Sequence, residues 1–301
     1  MSMPALVPVP PQAPPPQAAP AAPQVTRPGR ALIGWMHPDQ AQGFVQQVVP
    51  DPALAAETVQ RAHLAVVGRA AGVGQDGLIT SVPPELTEHV RALEASPAAK
   101  PMFDEGWTVA LVDLNRVCAF QPGVFTDQAL ARVQAVDKDD LASIAALTLP
   151  LTHGEQAQIQ YDQLHKAWTV SSPNPNLRVA TQIGPLPVSP AGSALGFAIT
   201  AGPSFMQVGR YNGRHYLRDG YHRAFGLLSR EITTVPAFVR DIARFEELLP
   251  DPRTMLPQDS YRGERPPVLP DYLDDTVSVS VQIPAPRPLI VIQALELRPA
   301  G

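Results

Sequence analysis

The spacing of apolar residues along the chain changes period several times, and each change predicts a change of element. Between Arg30 and about Ala99 the spacing is helical. Pro38, Asp39 and Gln40 open a helix carrying Ala41, Phe44 and Val48. Asp51 and Pro52 repeat the start signal before Leu54, Val59, Ala62, Leu64 and Val67, and a third helix begins near Pro84 with Leu86, Val90 and Leu93. At Trp107 the period shortens to that of a strand. Thr108 to Val112 is a β-type run, and Val117 to Phe120 alternates up to Gln121 and Pro122. Phe125 to Val136 and Asp139 to Leu147 return to helical spacing, the second capped by the acidic pair Asp139 and Asp140. Strands are expected at Trp168 to Val170 and Leu177 to Thr181, separated by the turn-rich stretch 171–176.

The strongest local signal is the run from Phe205 to Arg218, in which Asn212-Gly213 separates two alternating segments. Both central residues of a type I′ turn need positive φ, so this pair predicts a β-hairpin. Asp219 is then placed to cap a helix through Tyr221, Ala224, Phe225, Leu227 and Leu228, with a strand at Val235 to Val239 and a short amphipathic piece from Ile242 to Leu249. Near the end Val277, Val279, Val281 and Ile283 share one face, and Leu289 to Ile292 reads as a closing strand. These patterns divide the chain into a tail (1–29), a helical N-terminal subdomain (30–106), a core (107–249) and a proline-rich segment with closing β-strands (250–301). The expected class is α+β.

Composition adds the reason for treating the head separately. Ten of the chain's 36 prolines fall between Pro4 and Pro28, so residues 1–29 are expected to be a disordered Pro/Ala-rich tail and a possible ligand for a proline-recognising partner protein. The remainder, with 45% hydrophobic and 17% charged residues overall, can bury a core. A formal net charge of −5 supplies no global basic field for a polyphosphate backbone, so nucleic acid is possible but not favoured. One cysteine, Cys118, excludes an internal disulfide. No apolar run reaches the roughly 20 residues that span a bilayer, and the N-terminus lacks the pattern of a secretory signal, so the expectation is a cytoplasmic protein with no membrane association. His63 and His89 have no His or Cys at metal-ligand spacing, and no metal site is expected.

The chemistry concentrates at Leu217-Arg218-Asp219-Gly220-Tyr221-His222-Arg223. Here a strand runs directly into a helix whose first turn offers free N–H groups and a partial positive charge. Gly220 allows a ligand to approach the backbone, and His222 and Arg223 add donors suited to phosphate or carboxylate. Arg210, Arg214 and Arg230 are near in sequence. Strand alternation puts Arg214, Tyr216 and Arg218 on one face and His215 on the other.

That junction, with the strand before it and the helix and Val235-Pro236-Ala237-Phe238-Val239 after it, resembles the second sequence box of the ParB/sulfiredoxin-like superfamily, which includes chromosome-partition proteins, sulfiredoxin and free-serine kinases. Ala110 to Pro122 is similar to the first box, and the resemblance covers about Trp107 to Asp241. It implies a ParB/sulfiredoxin-like core with a helical N-terminal extension and added C-terminal β-strands. It also implies a nucleotide-binding site in which Gly220 is the close-approach glycine and His222 and Arg223 hold the phosphates. Arg218 and Asp219 are secondary candidates, Asp219 as a helix cap or a holder of a Mg²⁺ water, and the implied cofactor is a nucleoside triphosphate with Mg²⁺.

Tyr221 stands where sulfiredoxin carries its nucleophilic cysteine, which argues against sulfinic-acid reduction. No DNA-reading module follows the core, which argues against sequence-specific partition. The expected function is therefore a nucleotide- or phosphate-binding protein, acting as a regulatory switch or a nucleotide-dependent enzyme. A DNA-associated protein or a catalytically silent scaffold is the alternative. Truncating Arg223 is expected to weaken ligand binding and leave stability unchanged.

Overall fold

A computed structural model of the chain describes residues 25–152, 157–172, 177–189, 192–248, 255–285 and 289–293. The fold is mixed α and β. Its central element is a five-stranded sheet built from β2 (Ile79–Thr80), β3 (Thr108–Asp113), β9 (Gln207–Tyr211), β10 (Arg214–Asp219) and β11 (Thr234–Asp241), in the order β10-β9-β11-β3-β2. β9 and β10 form the expected hairpin, with Asn212 at φ 48° and Gly213 at φ 73°, the left-handed pair that a type I′ turn requires. Helix α7 (Tyr221–Leu228) returns the chain so that β11 lies parallel to β9 and antiparallel to β3.

The N-terminal helices are α1 (Pro38–Val45), α2 (Pro52–Val67), α3 (Thr87–Ala95) and the short α4 (Lys100–Asp104). Asp51 caps α2 by accepting from the N–H groups of Ala53 and Leu54, and proline fills its first position, as the start signal implied. α3 follows one 3₁₀ turn at Pro84–Leu86. In the middle of the chain α5 (Thr126–Val133) packs against α7, and α6 (Leu141–Thr148) is capped by Asp140, whose side chain accepts from Ala142 N–H, while Asp139 takes no part in the cap.

Three smaller sheets surround this core. β1 (Thr26–Ala31) lies between β4 (Gly123–Phe125) and β12 (Val279–Pro284), β6 (Ala167–Ser171) lies between β5 (Gln158–Asp162) and β13 (Leu289–Gln293), and β7 (Leu177–Ser189) pairs with β8 (Gly192–Ala201). The closing strands thus add to the edges of the smaller sheets and not to the five-stranded one. A short helix, α8 (Gln258–Arg262), and a 3₁₀ segment at Leu269–Leu273 interrupt the proline-rich stretch.

Two expectations need correction. Thr26 to Gly29 fall in the stretch read as tail but form the first part of β1, paired with β12 along their length and with β4 from Gly29 on. The strand's signal is weak because Pro28 and Gly29 sit inside it, and a glycine is required there: a Cβ at Gly29 would lie 2.4 Å from Ile283 and 2.6 Å from the Val124 carbonyl. Residues 1–24 lie outside the described residues, as do 153–156, 173–176 and 249–254. Val117 to Phe120 also does not behave as an alternating strand, because all four residues are buried. The segment is clamped between the hairpin and residues 267–269, Cys118 N–H donating to His215 and Ala119 N–H to Pro267, while Leu269 N–H returns a bond to Val117.

The apolar core is one continuous cluster. It runs from Leu32, Ile33 and Trp35 in the N-terminal part through Trp107, Leu114, Phe120, Met206 and Phe238 to Tyr272 and Val277. Trp35 ties the N-terminal part to the segment 260–265, its indole N–H donating to Arg265 O (2.8 Å) and its carbonyl accepting from Ser260 Oγ (2.7 Å).

Candidate functional site

The five residues singled out at the β10–α7 junction do not all meet. Gly220 adopts φ 110° and ψ 14°, a left-handed conformation that turns the strand into the helix, and it is itself the N-cap. Asp219 is not. Its carboxylate accepts from Ser204 Oγ (2.9 Å) and faces Arg223 Nη2 at 3.6 Å, so it belongs to the packing beneath the helix. Gly220 is buried, and an added Cβ would press on Met206 at 3.1 Å. The glycine therefore serves the chain reversal as well as any ligand.

Arg223 is the clearest departure from the sequence reading. Its side chain is only 5% exposed, and its guanidinium donates to the carbonyls of Leu147 (3.4 Å), Thr148 (3.3 Å) and Ser204 and to Ser204 Oγ (2.9 Å). Leu147 and Thr148 end α6, where carbonyls have no intrahelical partner. Arg223 thus closes the C-terminus of α6, and Ser204 relays it to Asp219 by accepting from Nη2 and donating to the carboxylate. Burial pulls the guanidinium below its ordinary range and the Asp219 charge opposes that pull. Arg218 is drawn elsewhere, donating to Gln207 Oε1 (2.9 Å) with its guanidinium 5.5 Å from the Trp107 ring centre. Arg214 and Arg230 are likewise spent on backbone carbonyls, of Arg262 and Gly263 and of Val133 and Val136.

His222 faces a set of residues that sequence proximity does not reveal. Its ring stacks on Phe125 at 5.2 Å and 14°, and its Nε2 is sealed from solvent without a hydrogen-bond partner. Burial, then the charges of Arg132, Arg223 and Arg27, push the imidazole down to about 4, with Asp127 acting in the opposite sense. Arg27 lies 5.8 Å from the Phe125 centre and pairs with Asp127 at 2.9 Å, and Arg132, on α5, has no ion-pair partner among the described residues. The first turn of α7 contains no acid, and no side chain caps it. An uncapped helix start beside an arginine without a carboxylate is an environment for an anion.

Arg27, Phe125 and Arg132 were not recognised in the sequence. Arg27 sat in a stretch read as tail, and the other two carry no motif; only the pairing of β1 with β4 and of α5 with α7 brings them to His222.

The magnesium expectation fares differently. Asp219 is a single carboxylate already engaged by Ser204 and Arg223, and among the described residues no group of three or more His, Cys, Asp or Glu side chains is placed to hold a metal ion. The residues present fit an anion and not a protein-bound Mg²⁺. Cys118 is buried and its thiol is pushed up to about 12, chiefly by desolvation, so it is no nucleophile. Among the described residues no helix is long and apolar enough to cross a membrane.

Fold and site together define a mixed α and β protein in which a hairpin feeds an uncapped helix N-terminus beside arginines from β1 and α5. Compared with protein-family models, curated proteins and solved structures, the chain finds no significant match.

Proposed function

We propose that this chain is a phosphate-binding protein with a ParB/sulfiredoxin-like core, taking a phosphate-bearing ligand such as a nucleotide on the first turn of α7. The observation that carries the reading is the unpartnered Nε2 of His222 on a helix start that no side chain caps, with Arg132 and Arg27 close enough to depress the imidazole. The connection of β10 through α7 to a strand parallel to β9 supports the architecture. The first-turn N–H groups donate to a phosphate oxygen, Arg132 supplies charge, and the phosphate meets His222, in the tautomer carrying its proton on Nε2, once the side chains that seal that nitrogen move aside. Gly220 shapes the turn, and Arg223 and Asp219 hold α7 in place from beneath. Any Mg²⁺ arrives with a triphosphate.

The test is calorimetric titration with ATP, CTP, GTP and ADP in the presence of Mg²⁺. Wild type is expected to bind at least one of them. His222→Ala and Arg132→Glu are each expected to weaken it about ten- to a hundredfold, the value of a charge-assisted contact of roughly 1.5–3 kcal/mol. A wild type that binds none of the four, or variants that bind as wild type does, would remove the reading. Steeply salt-dependent binding to duplex DNA in their place would favour the DNA-associated alternative.

A further inference from the structure

A second polar concavity lies away from α7. It is a cleft of about 820 Å³ at one end of the five-stranded sheet, bounded by the segment before β2, the start of β3, and the chain after β11. At its wall stands His215, the cross-strand partner of Arg210 in the hairpin and only 6% exposed.

The hydrogen bonds around His215 fix its tautomer. Gln75 Oε1 receives the backbone N–H of His215 at 3.1 Å and lies 2.6 Å from ring Nδ1. A backbone N–H can only donate, so the amide atom it meets is the oxygen. The Gln75 nitrogen agrees, donating to the carbonyls of Val73 (3.0 Å) and Gly74 (3.4 Å). Nδ1 must then carry the proton, which leaves Nε2 of the neutral ring as a lone-pair acceptor. Among the described residues nothing donates to it. His215 lines the cleft, and with no protein donor the lone pair on its Nε2 is left for a ligand or water to meet.

The charges around the cleft point to what that ligand is. Its two arginines already hold carboxylates: Arg210 binds Asp241 through Nε and Nη2, both at 2.5 Å, and Arg240 donates to Glu247 (2.9 Å) and to the Glu105 carbonyl (3.0 Å), its Nε being sealed from solvent without a partner. The carboxylate of Asp76 has no partner among the described residues, whereas that of Glu105 accepts from the Trp107 indole N–H (3.4 Å) and lies 3.7 Å from Arg240. The groups open to the cleft without a protein partner are thus acceptors, His215 Nε2 and the Asp76 carboxylate, and the lining carries the acids Asp76, Glu105, Asp241 and Glu247 against Arg210 and Arg240. An anionic ligand would meet an excess of like charge, and a neutral apolar one would leave both acceptors unmet.

We propose that this cleft binds a small organic cation bearing N–H donors, a primary amine or a guanidinium compound, which donates to His215 Nε2 and places its charge against Asp76 and Glu105. Gln75 is the positioning residue that holds the imidazole in the accepting tautomer. The volume suits a compact metabolite, within the usual range of about 300–1,000 Å³ for small-molecule sites.

The experiment is calorimetric titration of the full chain with agmatine and spermidine, and with choline as a cation lacking N–H donors. At least one of the two amines is expected to bind, and choline at least tenfold more weakly. His215→Phe, which keeps a planar ring but removes the acceptor, is expected to lower amine affinity at least tenfold. Asp76→Asn, at an exposed carboxylate without partners, is expected to lower it several-fold with an unchanged melting temperature, so the proposal stays open to refutation if the histidine variant fails to fold. His222→Ala is expected to leave amine binding intact, separating this cleft from the α7 site. Amine binding absent from wild type, unchanged in Asp76→Asn, or matched by choline overturns the proposal.

Discussion

Individual residues show how one side chain can look like a ligand contact in sequence and work as a structural tie in space. Arg223 was expected to leave stability untouched when truncated. In the fold its loss strands the carbonyls of Leu147 and Ser204, leaves that of Thr148 with only the Met206 N–H, and deprives Asp219 of its cation. Arg223→Ala is therefore expected to destabilise by about 2–4 kcal/mol, the usual cost of orphaning buried acceptors and a charge partner, with a lowered midpoint in urea melts as the check. Gly213 is a different case, since a Cβ there meets nothing within 4 Å and only the left-handed φ resists substitution. Gly213→Val should cost about 1–3 kcal/mol through backbone strain alone. His222 makes a prediction about pH. Its folded value, about 4, lies below the ordinary 6.5, so between those values the unfolded chain binds the proton first and folding loses stability as pH falls. Above about pH 6.5 the effect vanishes. His222→Gln should flatten the stability curve between pH 6.5 and 4, and an unaltered slope would show that the imidazole is not held neutral by the fold. His215, also depressed to about 4, contributes separately, and its slope should persist in that variant.

Between elements, the decisive contact is the crossing of α5 and α7. Gly226 lets the helices approach so closely that a Cβ would sit 2.6 Å from the Ala129 carbonyl and 2.7 Å from Val133 Cγ1. The carbonyl is backbone and cannot swing away. Gly226→Ala is expected to push the helices apart at a cost of about 1–3 kcal/mol, the range for overpacking a close contact, and because Arg132 rides on α5 it should also weaken phosphate binding. Calorimetric melts and nucleotide titration on this variant test both consequences together. Periodicity predicted both helices, but no local pattern announces which glycine is a crossing point, since Gly226 follows an ordinary amphipathic pattern.

For the whole molecule, the first described strand joins one from late in the chain. β1 lies between β4 and β12, and Arg30 binds the Tyr272 carbonyl (2.8 Å), Ser278 and Asp275. A deletion of residues 2–29 removes most of this strand, whereas one ending at Gln24 leaves it whole. The longer deletion is expected to melt several degrees lower than the shorter, by analogy with a loss of about 1–2 kcal/mol in a domain of this size. Equal melting temperatures would show that β1 adds nothing to the fold.

What the sequence determined by itself was whatever is decided within a few residues. The Asn212-Gly213 hairpin, the Asp51 and Asp140 caps, the strands β3 and β11, and the entry of β10 into α7 all follow from φ preferences, capping and period, which are local properties of the chain. The tertiary structure decided everything that depends on which elements become neighbours. It placed Arg27, Phe125 and Arg132 around His222, turned Arg223 from a ligand contact into the cap of α6, and set Gln75 against His215 across 140 positions of sequence. The physical reason is the same in each case: a charge or a lone pair acquires its role from the dielectric and the partners that surround it, and these come from packing between segments that carry no mark of each other in the order of their residues.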